Sequence, residues 1–122
     1  KQKIKNNKKT KTKLLKDGDV TSINWKSELL VIYIWDKNIE DGDKINLSIN
    51  DERILSNYLT KNKKRKLEYK LMKGINNIYI EAINNGDTPP NTTSVELEDL
   101  KTKYPITTQL KTGNSVIIKI IK

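Results

Sequence analysis

The sequence predicts an all-β domain, an antiparallel β-sandwich. Three observations lead there. No window sustains apolar residues at helical spacing. Short stretches of alternating or continuous apolar character recur about every 8–14 residues. Clusters of Gly, Pro, Asn and Asp separate them, the residue types that tight turns require. A length of 122 residues suits one such domain around one core.

Taken in order, residues 20–25 read as a weak first strand. Residues 28–35 (ELLVIYIW) are apolar at both parities, which predicts a central strand buried on both faces. Turn residues follow at 36–38 and 41–43. Residues 44–50 alternate, with Ile45, Leu47 and Ile49 on one face. Asn50 and Asp51 turn the chain into a strand at 53–55. Residues 66–72 alternate again, with Leu67, Tyr69 and Leu71 inward, and their charged opposite face predicts an edge position. Further strands are expected at 77–83, 93–97 and 107–110. The last, at 115–121, is apolar on both faces and therefore central. The count is about seven to nine strands, immunoglobulin-like or jelly-roll-like in type.

Charge divides the chain unevenly. Residues 1–16 hold eight lysines and no acid, so taking their +8 from the total of +9 leaves +1 for residues 17–122. Residues 1–13 contain one apolar side chain, Ile4, too little burial to offset the entropy of ordering. The expected organisation is a disordered lysine-rich arm or linker at 1–16 and a β-sandwich at 17–122. A basic tail on a near-neutral body argues for a solvated linker rather than a nucleic-acid face. With no cysteine and no histidine, disulfides, the common zinc sites and Cys/His or Ser/His/Asp nucleophilic machinery are excluded. No apolar run reaches the roughly 20 residues of a transmembrane helix. Lys1 in place of methionine leads to the expectation of a mature or trimmed chain.

Several spaced motifs carry a resemblance. They are Trp35-Asp36, Asp41-Gly42-Asp43, Ile45 to Asn50 (INLSIN), Gly74-Ile75-Asn76, Ala82 to Gly86 (AINNG) and Pro89 to Thr92 (PPNT). In this order they resemble a small β-sandwich accessory module of secreted and surface proteins of Bacteroidetes-type bacteria. Asp51 stands where the pattern has glycine and Thr93 where it often has alanine; Asn-Asp can still make the tight turn. The resemblance implies an extracellular or cell-surface accessory module of a larger exported protein; the expected state is a monomer, and the expected partners are that protein's other domains or a surface polysaccharide. It implies no catalytic role.

Asp36, Asp41 and Asp43 flank one loop and could share a calcium ion, with Asn38 or a carbonyl as a further ligand. The spacing lacks the remaining ligands of an EF-hand. Turn chemistry explains the same residues, with Asp bonding nearby N–H groups and Gly42 supplying positive φ; this is the expected role. The polar loop at 84–91 offers Asn84, Asn85, Asp87 and Asn91 to sugar hydroxyls. The competing reading has Asn84 and Asn91 lock that loop onto the turn at 41–43. Trp25 is the candidate platform for sugar stacking, while Trp35 is expected in the core. Residues 61–66 (KNKKRK) could contact anions, or guard an edge strand. Glu28, Glu68, Glu81, Glu96 and Glu98 show no pairing that would favour glycoside hydrolysis. The leading expectation is a non-catalytic adhesion or assembly module. The alternative is a carbohydrate-binding module, and the third is anion or nucleic-acid binding through the basic arm.

Overall fold

Alternation of side chains along extended segments decides the architecture. A computed structural model of the protein describes residues 8–87 and 89–122. They contain eleven strands: β1 (Lys8–Lys9), β2 (Lys13–Lys16), β3 (Val20–Asn24), β4 (Leu29–Trp35), β5 (Lys44–Ile49), β6 (Glu52–Leu59), β7 (Arg65–Lys70), β8 (Ile75–Ala82), β9 (Asn91–Asp99), β10 (Thr102–Leu110) and β11 (Ser115–Ile121). One sheet has the order β1-β10-β9-β4-β7, with β2 also paired to β10; the other runs β3-β11-β8-β5-β6. Most pairs are antiparallel, as expected, but β1 and β2 run parallel to β10, and β3 runs parallel to β11.

The core lies between the sheets and is filled at every second residue. Leu30, Ile32 and Ile34 of β4 face Ile45, Leu47 and Ile49 of β5, Ile78, Ile80 and Ala82 of β8 and Val116, Ile118 and Ile120 of β11 within one buried cluster. Strands β4 and β11 are interior, and β7 is an edge. The outer faces of β4 and β11 are only partly covered, so neither strand is buried on both sides. Val31, Tyr33 and Trp35 lie half-buried on the outer face of β4. Asn50 and Asp51 form the β5–β6 turn with φ of 51° and 67°, a conformation open to asparagine and aspartate, so glycine is dispensable there.

The arm corrects the expected organisation. Residues 1–7 lie outside the described residues. Lys13–Lys16 is a strand, paired residue by residue from Ile106↔Lys13 to Gln109↔Lys16. Leu15 enters the core, whereas Leu14 points outward. Lys9 reaches Glu96 at 3.8 Å. An edge strand needs few inward side chains, and its lysines ward off further pairing, so low hydrophobicity did not prevent ordering. The ladder breaks opposite Tyr104 and Pro105, where proline has no N–H to donate. These two strands account for the excess over nine.

Candidate functional site

Three segments that carry the chain from one sheet to the other meet at one end of the sandwich. They are residues 36–43 between β4 and β5, 60–64 between β6 and β7, and 83–90 between β8 and β9. Their polar side chains stitch them together. Asn84 accepts from Lys44 N at 2.9 Å and donates to Gly42 O at 3.0 Å. Asn91 Nδ2 donates to Lys44 O and Asn84 O, both at 2.9 Å. Asn62 Nδ2 donates to the carbonyls of Asp36 and Asn38, and Asn62 N to Glu40 Oε2. Asp87 N donates to Asp41 O at 2.7 Å.

Within this frame Asp36, Asp41 and Asp43 converge, each bringing a carboxylate oxygen to within 4.8 Å of the others. Asp36 directly follows β4, and Asp43 directly precedes β5. Asn38 N–H donates to Asp36 Oδ1 at 3.0 Å, the turn bond expected of an aspartate there. Thr92 N–H donates to Asp43 Oδ2 at 3.1 Å. Turn chemistry thus uses one oxygen of Asp36, and a long-range bond from β9 uses one of Asp43. Asp36 Oδ2 and Asp43 Oδ1 are buried without a hydrogen-bond partner. Burial pushes the Asp36 carboxyl above its ordinary value, and Asp41 and Glu40 add to this against the Asn38 N–H. At Asp43 burial acts first, opposed by the Thr92 N–H and reinforced by Asp41 and Asp36, and the pKa rises to about 7.

Gly86 completes the wall. Its φ is +69°, and a Cβ there would strike Asp43 Oδ1 and crowd Asp41. Asn38, Ile39, Pro89 and Pro90 line, with the three aspartates, a pocket of about 400 Å³. Gly86, Asn62 and the Thr92 amide escaped sequence reasoning. Asn62 was masked by its lysine neighbours, and a backbone amide leaves no residue-type signal.

The proposed sugar-binding residues scatter. Trp25 is a core residue: its Nε1 donates to Leu29 O at 3.1 Å, and its ring packs 5.8 Å from that of Tyr104. No stacking face remains, which corrects the platform reading. Asn91 is fully buried, and Asn84 is tied into the frame, so neither offers its amide to a ligand. Asn85 accepts from Thr112 N. The Asp87 side chain alone of the group is exposed. Trp35, expected in the core, lies partly exposed on an outer face with Lys64 Nζ 4.5 Å above its ring. Arg65 likewise lies over the ring of Tyr58.

A second surface is the outer face of the sheet β3-β11-β8-β5-β6. Register places Val20 beside Ile117 and Ile117 beside Tyr79. Val20 and Ile75 are 55% and 57% exposed. Ile75, Tyr79 and Ile117, with Asp51 and Lys119, border an open groove of about 670 Å³. No protein family, curated protein or solved structure matches the chain.

Proposed function

We propose that the chain is a non-catalytic accessory module that mediates assembly or adhesion in a larger exported protein. The observation that carries this reading is the apolar row Val20–Ile117–Tyr79 on the outer face of one sheet. Contiguous exposed apolar surface favours protein contact. Its rim holds Asp51 and Lys119, one charge of each sign, which suits a mixed protein surface better than an anionic polymer. The partner is therefore read as a protein surface, a neighbouring domain or a surface protein, outside the cell. The carbohydrate-binding reading loses support because Trp25, Asn84 and Asn91 are engaged internally. Binding of anions through the arm loses support because β2 is built into the sheet.

A photo-crosslinking residue in place of Tyr79, in the full exported protein on its native cell, tests the assignment. A defined set of protein adducts is expected from position 79, and few from position 68 on the edge strand of the other sheet. Equal labelling from both positions would refute the docking face. Selective retention of the domain on a glycan array would favour the carbohydrate alternative.

A further inference from the structure

We propose that Asp36, Asp41 and Asp43 bind one calcium ion at the end of the sandwich where β4 crosses to β5. A cluster of acids is common and proves nothing alone. Here two members are withdrawn from water, Asp36 at 4% and Asp43 at 2% exposure, and each keeps one oxygen that no protein group satisfies. The partnered oxygens, held by the amides of Asn38 and Thr92, fix both carboxylates in place. Asp43 Oδ1 and Asp41 Oδ1 lie side by side against Gly86, where the missing Cβ leaves them room.

Buried charge is retained in proteins when it is paired, bound to a metal or neutralised by a proton. The chain carries 24 lysines and arginines, yet among the described residues neither Asp36 nor Asp43 forms an ion pair. The charges that act on them are negative: Asp41 and Glu40 at Asp36, Asp41 and Asp36 at Asp43. A basic protein that keeps its cations away from Asp36 and Asp43 leaves a place for a mobile one.

The donor set selects the ion. Every candidate ligand is oxygen, and the sequence has no cysteine or histidine for zinc or copper. Calcium accepts about six to eight oxygens in irregular geometry and shares its shell with water, whereas magnesium demands near-ideal octahedra. Asn38 and Pro89 line the same pocket as the carboxylates, and water entering it would complete the shell. Bound there, the ion would join the crossing at 36–43 to the start of β9, because Asp43 already holds the Thr92 amide.

Calorimetric titration and thermal unfolding of the chelator-treated protein provide the test. CaCl₂ and MgCl₂ are compared at constant ionic strength. One calcium per chain is expected, with a rise in melting temperature of about ten degrees at a hundredfold excess over Kd. Chelator should reverse the rise, and magnesium should give a smaller one. The double variant Asp36→Asn/Asp43→Asn should lose the response. Without metal it should melt at or above the wild-type temperature, because two crowded buried carboxyl groups are gone, so its silence would reflect the site and not misfolding. No calcium response in the wild type would overturn the proposal. So would an equal response in the double variant, or equal shifts from both ions.

Discussion

Leu14 and Leu15 sit side by side on β2, and replacing each with alanine distinguishes a docked strand from a loose tail. Leu15 is 4% exposed and Leu14 46%. Burying a leucine is worth about 1.5–3 kcal/mol in transfer free energy. Truncating a buried leucine to alanine costs about 2–5 kcal/mol once the cavity is counted. An edge strand can relax into the space, so Leu15→Ala should fall near the low end, about 2–3 kcal/mol. Leu14→Ala removes half-solvated surface and should cost below about 1 kcal/mol. For a domain of this length the Leu15 change corresponds to a fall of about ten degrees in melting temperature. Deleting residues 1–12 should be mild, since among the described residues it removes the two-residue β1 and its flanks. Deleting residues 1–16 should cost at least as much as Leu15→Ala, because the ladder to β10 goes with it. Circular dichroism against temperature, supported by urea titration, reads all four variants. If Leu15→Ala and Leu14→Ala are equally mild, β2 is not part of the sandwich in solution.

The metal-free protein should also respond to pH. The folded pKa of Asp43 is about 7, against an ordinary 3.8, so the folded state keeps a proton that the unfolded chain has released. That contribution is complete below the unfolded value and is lost as pH rises through the folded one. In chelator, the melting temperature should fall between about pH 5 and about pH 8, and Asp43→Asn should flatten the fall; a rise across that window would refute the assignment. Separately, Asn91→Ala should cost about 1–3 kcal/mol in denaturant titration, because it strips a buried donor from the carbonyls of Lys44 and Asn84. A neutral result would show that the two loops hold together without it.

Much of the sandwich was legible because burial imposes a period of two. Residues 44–50 declared their inward face, and the charged outer face of residues 66–72 marked the edge that β7 occupies. The β2 strand was not legible. Its pairing depends on the free edge of β10, which lies about ninety residues away in sequence and leaves no local trace. The breadth of β10 was missed for a related reason. Its first half carries Pro105, which faces the gap between β1 and β2, where its missing N–H costs nothing. At the site, the locking role of Asn84 and Asn91 was foreseen, as was the grouping of the three aspartates. The division of each carboxylate into a satisfied and an unsatisfied oxygen was not. It depends on Thr92 and Gly86, brought in by another loop. Trp25 and Trp35 exchanged places because hydrophobicity reports that a ring is buried somewhere, not which of two rings finds the space between the sheets.

The parallel pairing of β3 with β11 sets how the domain would bear load. These strands lie near opposite ends of the chain and run side by side, in register from Ile117↔Val20 to Ile121↔Asn24. Tension between the termini draws β3 backward along its own axis and β11 forward along its own. Their hydrogen bonds are then strained together rather than opened one after another. The seam of β2 on β10 has the same sense, so a pull on the front of the chain meets a sheared strand before it reaches β3. Two sheared seams in series make the strand arrangement one that resists extension, a property suited to a link in a chain under tension.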